Sequence, residues 1–269
     1  MDHLATVHDP GRPGRHGAPV LTARLLGRFV VTVDGHLVDT QSSRRTRNVL
    51  GYLLAHRRAA VPRDVLMDTF WPNATPDAAR NCLHVALTGV RSALRECTPH
   101  QIVERTYDAY RIADAVDVWV DAEEFEARAR TGRLAERSGN LEAAVASYEA
   151  ASQLYDGEFF ADDPYTDWAA PFRDALRAQA LDVQSRLIDL YAQRGDHGAA
   201  LQLGRWVLTH DPCNEDVHRR LMSSYARTGR GHLALTQYHR CADALREAFG
   251  VAPTAETRAL YDVLRSRPA

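Results

Sequence analysis

Polar and apolar positions separate most cleanly between Thr75 and Arg95. Successive residues of an α-helix lie about 100° apart. At that spacing the apolar side chains of this stretch share one face: Ala79, Leu83, Ala86, Leu87, Val90, Ala93 and Leu94. The opposite face is polar: Arg80, Asn81, His84, Thr88, Arg91, Ser92 and Arg95. Thr75, Pro76 and Asp77 are residue types preferred at a helix start. The pattern predicts an amphipathic helix.

Four further elements are predicted around this helix. They are a hairpin over residues 29–38 with its turn at Asp34-Gly35, a helix over 44–57, a short helix over 61–71, and a hairpin over 102–113 with its turn around Tyr107-Asp108-Ala109. Sheet, three helices and hairpin follow one another in the order of a winged helix, in which the third helix enters the major groove of DNA.

The chain is predicted to be helical from about Val118 onward, and this part contains an internal repeat. Tyr191, Gly195, Ala200 and Leu201 recur 34 residues later as Tyr225, Gly229, Ala234 and Leu235. This is the tetratricopeptide period. A weaker copy begins at Gly139, Asp162–Tyr165 with Trp168 interrupts the pattern, and Thr254 is expected to cap the last helix. Such a repeat domain either binds a peptide or neighbouring domain on its concave face or packs as a plain helical bundle.

The predicted fold class is mainly α with small β-sheets. A flexible tail is expected over residues 1–19 and a winged helix-turn-helix domain over 20–113. An all-α tetratricopeptide-like domain is expected over 114–269.

Composition and charge fit this division. The 269 residues are 45% hydrophobic and 25% charged, which is typical of a globular protein. Residues 1–113 hold 15 arginines against 10 acidic residues, a net +5, whereas residues 114–269 hold 18 against 25, a net −7. All 33 basic residues are arginine. A basic first part joined to an acidic second part favours a polyanion-binding head.

Several other functional classes find no support in the sequence. It contains no apolar run long enough to span a membrane and no secretory signal, so we expect a cytoplasmic protein. Phosphate-binding glycine loops, nucleophile elbows and zinc motifs are missing, so neither an enzyme nor a cofactor is expected. Four scattered cysteines (Cys82, Cys97, Cys213 and Cys241) are expected to be reduced and metal-free. The acidic run from Asp121 to Glu126 fits either paired carboxylates or a helix start.

The polar residues of the predicted winged helix divide into two groups of candidate DNA contacts. Base contacts are expected from the central helix: Arg80, Asn81, His84, Thr88 and Arg91. Backbone contacts are expected from its surroundings: Arg44, Arg45, Arg47, Arg63, Arg95, Arg105 and Tyr107. Each arginine taken singly fits a solvated surface equally well, but their order along the chain favours DNA.

These motifs resemble a known family. The shared segments are Val61–Asp64, Phe70–Pro72, Ala79–Arg91, Val120–Phe125, Asp163–Trp168, His218–Met222 and, most specifically, Tyr225–Thr257. The chain is similar over about residues 20–265 to the antibiotic-regulatory-protein (SARP) family of bacterial transcriptional activators. In that family an OmpR-like winged helix precedes a bacterial transcriptional activator domain with tetratricopeptide-like repeats.

The resemblance implies an activator of a secondary-metabolite gene cluster. It would bind direct repeats in double-stranded promoter DNA as a homodimer or oligomer, recruit RNA polymerase through its sigma factor or another subunit, and associate with the nucleoid. Asp108-Ala109-Tyr110 replaces the family's Gly-Gly-Tyr in the wing, and no ATPase or forkhead-associated module is expected. Two alternatives remain: a repressor with the same DNA contacts, and a helical-repeat adaptor whose winged helix no longer binds DNA.

Overall fold

A computed structural model of the protein describes residues 18–40 and 43–266. Apart from Ala18 and Pro19, the expected tail lies outside these residues. The described chain forms seven β-strands: β1 Val20–Arg24, β2 Val30–Val33, β3 His36–Leu37, β4 Val61–Pro62, β5 Val103–Thr106, β6 Ala109–Ile112 and β7 Asp117–Val120. It also forms ten α-helices: α1 Arg44–Ala55, α2 Arg63–Phe70, α3 Pro76–Arg95, α4 Asp121–Arg137, α5 Leu141–Leu154, α6 Ala170–Gln193, α7 His197–His210, α8 Glu215–Arg227, α9 Gly231–Phe249 and α10 Ala255–Arg265. The predicted fold class is confirmed.

The chain divides into two compact units, and the first is discontinuous. The first unit contains the residues up to Glu124 together with Asp156–Arg173, and the second contains Phe125–Tyr155 and the residues from Asp174 onward. The domain boundaries expected from the sequence, 20–113 and 114–269, stay a prediction about the functional division.

Two small sheets frame the helices of the first unit. Strand order is β3-β2-β1-β7 in one sheet, with β1 and β7 parallel, and β4-β6-β5 in the other. The predicted hairpin turn is confirmed, because Asp34 and Gly35 both have positive φ as a two-residue primed turn requires. The expected helical start at Val118 was wrong: this residue lies in β7 and pairs with Leu21 of β1. A four-residue strand that pairs with a strand almost 100 positions away leaves no local signal.

The segment Asp156–Arg173 packs inside the first unit. Phe160 is fully buried; its amide nitrogen donates to the Leu25 carbonyl at 2.7 Å. Its ring fills the space beside Gly51, where any Cβ would come within 2.5 Å of it.

Asp121 begins α4, and its buried carboxylate accepts from the amides of Leu25 and Leu26. Burial raises the pKa of Asp121 to about 6, and these bonds oppose the rise.

The second unit consists of helices that pair through the predicted repeat. Gly139, Gly195 and Gly229 each adopt positive φ in the turn between two helices, the conformation for which glycine is preferred. Glycine also serves where two helices pack closely. A Cβ at Gly204 of α7 would come within 2.6 Å of Leu221 of α8. Thr254 takes the N-cap position of α10, but its hydroxyl donates to Glu215 instead of capping.

Candidate nucleic-acid interface

Helix α3 has one buried and one exposed face, as predicted. Thr75 is its N-cap and accepts a hydrogen bond from the Ala78 amide at 3.4 Å. All seven predicted apolar positions are buried: Ala79, Leu83, Ala86, Leu87, Val90, Ala93 and Leu94. Gly89 lets α1 approach closely, because a Cβ there would come within 2.6 Å of the Thr46 hydroxyl. Packing against the core therefore fixes which side chains α3 presents to solvent.

Four of the five base-contact candidates are exposed on α3. Asn81 faces most directly away from the buried stripe at helical spacing, and His84 lies about 60° from it; both are exposed. Thr88 is also exposed, and its hydroxyl donates to the His84 carbonyl at 2.8 Å. Arg80 is exposed and forms an ion pair with Asp77 at 2.8 Å. The outermost positions of the face thus carry amide, imidazole and hydroxyl groups.

Arg91 occupies a different environment. Its guanidinium carbon lies 5.9 Å from the centre of the Tyr110 ring in β6, and its side chain is half-buried. Tyr110 itself is buried, so Arg91 connects α3 to the wing. Arg95, the last residue of α3, is exposed. Among the predicted contacts of α3, Arg91 is therefore the one most constrained by packing.

Two arginines of α1 contact neighbouring groups of the first unit. Arg44 donates two hydrogen bonds to the Asp163 carboxylate, at 2.7 and 2.6 Å, and these bonds together with the Arg44 charge keep the pKa of Asp163 below its usual value against the effect of burial. Arg45 is exposed, donates to the Phe70 carbonyl at 3.0 Å and lies over the Trp71 ring. Arg47 of the same helix is half-buried.

The wing turn is tighter than predicted. It consists of Tyr107 and Asp108, with Ala109 already in β6. Tyr107 has φ 54° and is 94% exposed. The Asp108 carboxylate accepts from Arg105 at 2.9 Å and from Arg63 at 3.3 Å. A tyrosine thus occupies the left-handed position that glycine usually takes, and one carboxylate holds two predicted phosphate-binding arginines.

Sequence reasoning missed three residues in or beneath this surface. Val85 is 70% exposed on α3 beside Asn81; its detectable signal was a helical position outside the buried stripe. Asp108 was missed as a partner of Arg63, and Asp163 as a partner of Arg44, because both pairings join residues far apart in the chain. Within the described ranges, no group of three or more His, Cys, Asp or Glu residues is placed to hold a metal ion. No described helix combines the length and apolar character that crossing a bilayer demands.

The second part of the chain matches a known domain. A family model described as the bacterial transcriptional activator domain matches residues 120–265, more than half of the chain. The chain belongs to this family. The matched residues include the repeat region described above. The name of the family identifies the domain as a component of transcriptional regulators.

Curated relatives extend the similarity over the winged helix. The chain is 25% identical over 247 residues to the transcriptional regulatory protein EmbR of Mycobacterium tuberculosis, covering 91% of this chain and 63% of that protein. It is 27% identical over 257 residues to the regulatory protein DnrI of Streptomyces peucetius, covering 91% and 92%. The chain therefore spans slightly less than two thirds of the length of EmbR.

A solved structure supports the fold. The structure of Mycobacterium tuberculosis EmbR in complex with a low-affinity phosphopeptide matches with a TM-score of 0.78 and 24% identity, covering 93% of this chain and 66% of that chain. At this identity the match shows the fold alone. Together, the activator-domain match and the two regulators confirm the resemblance to the antibiotic-regulatory-protein family.

Proposed function

We propose that this chain is a sequence-specific DNA-binding transcriptional activator. The observation that carries the proposal is the exposed face of α3, where Asn81, His84 and Thr88 stand together on a helix held rigidly by its buried stripe. Asparagine can bind adenine through two hydrogen bonds in the major groove, and hydroxyl groups accept or donate to several bases. These side chains would read bases, with Arg80 and Arg91 at the edge of the same surface.

Arginines around α3 would bind the DNA backbone. Arg45 and Arg95 are exposed, and Arg105 and Tyr107 stand at the wing. Guanidinium groups beside a recognition helix position a protein on DNA by neutralising phosphates. Arg44, Arg47 and Arg63 belong to the same proposed group, although Arg44 and Arg63 also form ion pairs inside the unit.

DNA binding by this chain would act on transcription through RNA polymerase. We assign DNA binding and the recruitment of RNA polymerase to the winged helix over residues 20–113, and residues 114–269 to the activator domain of helical repeats. Binding of two or more protomers to promoter direct repeats would place RNA polymerase next to the first unit, at a secondary-metabolite gene cluster. Membership in the activator-domain family and the names of the two regulators support this assignment.

Enrichment of duplexes from a random-sequence library by the whole chain tests the proposal. We expect one duplex motif to be enriched, with affinity that falls steeply between low and moderate salt as phosphate counterions are released. Asn81→Ala should weaken binding to the enriched duplex by about 1–3 kcal/mol and relax preference at one base pair. Arg45→Ala should weaken all duplexes alike and reduce the salt slope by about one.

Arg227→Ala provides the matched control, since this exposed arginine lies on α8 of the second unit. It should leave both the affinity and the salt slope unchanged. Failure to enrich any motif, together with salt-independent binding, would contradict DNA recognition. That outcome would favour the adaptor alternative, to which the arginines paired with Asp108 and Asp163 also point.

A further inference from the structure

Val85 stands on the exposed face of α3 among the residues proposed to read bases. It lies about 40° around the helix from Asn81, on the opposite side of that residue from Arg91 and Arg80, which lie about 80° and 100° from Asn81. Its side chain is 70% exposed, and Asn81 and Thr88, one turn before and after it, are exposed as well. Val85 is thus an exposed apolar group at the border of the polar face, next to Asn81.

Neither folding nor helix formation explains valine at this position. Its side chain contributes little to the core, because most of it remains in water. A β-branched residue also loses rotamer freedom in a helix and is less favourable there than alanine. An exposed apolar side chain lowers the free energy of the system only when a partner covers it and removes it from water. The partner that the proposed function places against this face is the floor of the major groove.

That groove offers one apolar group, the C5-methyl of thymine. We infer that Val85 is a specificity-determining residue that contacts a thymine methyl group, next to the base pair read by Asn81. The hydrogen-bonding side chains on either side would exclude water from the contact. This inference rests on the proposed function and deepens it, since it adds a base preference that hydrogen bonding alone does not supply.

Deoxyuridine provides the sharpest test, because it pairs as thymidine does but lacks the C5-methyl. The whole chain is titrated with the duplex enriched from the random library, and then with duplexes in which each thymidine in turn is replaced by deoxyuridine. At one or two positions the wild-type chain should lose about fourfold in affinity, the value of burying one methyl group. The Val85→Ala variant should lose nothing at those positions.

Val263→Ala is the matched control, because Val263 is 53% exposed on α10 of the second unit. It should retain the deoxyuridine response of the wild type. Val85→Ala should fold normally, because the position is exposed and alanine favours the helix.

Two results would overturn the inference while leaving DNA recognition intact. The first is a wild type whose affinity is unchanged by every replacement. The second is an equal loss of affinity by Val85→Ala on thymine and uracil duplexes, which means that wild type and variant respond identically to the replacement. Failure to enrich any duplex would instead overturn the proposed function, and this inference with it.

Discussion

At the scale of single residues, carboxylates as well as arginines set the charge of the candidate interface. Asp108 accepts from Arg63 and Arg105, two residues expected to bind phosphate. Its side chain is 69% exposed, so its charge would also stand near the DNA backbone. If the wing binds DNA as proposed, an acid in this place would oppose non-specific binding twice, by repelling phosphate and by engaging two arginines.

Replacing Asp108 with asparagine should therefore strengthen binding to DNA of any sequence. We expect affinity for the enriched duplex and for a scrambled duplex to rise by about two- to fivefold at low salt, the range of an exposed ion pair. The gain should shrink as salt screens the charges. Fluorescence anisotropy titrations at several salt concentrations measure both effects.

Asp156→Asn is the control, because it changes the net charge of the first unit by the same amount at another exposed position. If both variants gained affinity equally, the effect would be one of total charge. A loss of affinity in Asp108→Asn would mean that the carboxylate serves DNA binding by ordering the wing.

At the scale of elements, α1 is held by a segment that lies more than 100 residues later in the chain. Asn48 of α1 donates to Asp163 at 2.9 Å and accepts from Thr166 and Trp168, each at 2.9 Å. Asp163 is 3% exposed and also accepts twice from Arg44. Buried polar groups that are all satisfied in this way specify a single arrangement of the elements they join.

Asp163→Asn should lower the free energy of unfolding of the first unit by about 2 kcal/mol. The hydrogen bonds from Arg44 lose the carboxylate charge and become weaker, and the NH2 group of the new amide faces a donor where an acceptor is needed. Thermal and denaturant unfolding measure the loss. Asp167→Asn, at an exposed position of the same segment, should leave stability nearly unchanged. Equal effects of the two substitutions would contradict the role assigned to Asp163.

The same pair predicts a pH dependence. Hydrogen bonds from Arg44 and Asn48, together with the Arg44 charge, keep the pKa of Asp163 below its ordinary value of 3.8. The folded state therefore favours the carboxylate, and this stabilisation is complete above pH 3.8 and lost as pH falls through the lower folded pKa. The stability difference between wild type and Asp163→Asn should be constant above that pH and narrow below it.

At the scale of the whole molecule, the first unit depends on chain that follows the winged helix. Strand β7 pairs with β1, Asp121 satisfies the amides of Leu25 and Leu26, and Phe160 fills the core beside Gly51. Residues 18–113 alone contain none of these partners. Buried amides left unsatisfied and an open core both cost stability.

We therefore expect a fragment of residues 18–113 to lack a cooperative thermal transition and to bind the enriched duplex much more weakly than the whole chain. A fragment of residues 18–124 regains β7 and Asp121 and should show partial, broad unfolding. Circular dichroism and titration with the enriched duplex give the two readouts. Cooperative unfolding and full affinity of the shorter fragment would show that the winged helix is autonomous.

Local patterns predicted local structure well. The stripe on α3, the Asp34-Gly35 turn and the glycines at 139, 195 and 229 are all where periodicity and backbone preference place them. Strands β7 and β4 were not predicted, because each pairs with a strand far away in the chain. Strand β1 was not predicted either, although it pairs with the nearby β2 as well as with β7. The wing turn was expected to include Ala109, which instead pairs with Thr106 and with Pro62 of β4.

The sequence by itself determined the winged-helix order, the repeat and the polar face of α3, because helical and turn preferences act between residues a few positions apart. Tertiary structure alone decided that Arg63 meets Asp108, that Arg44 meets Asp163, and that Arg91 packs over Tyr110. It also decided that Asp156–Arg173 completes the first unit. Those outcomes depend on which distant side chains the folded chain brings within contact distance, and sequence spacing carries no measure of that distance.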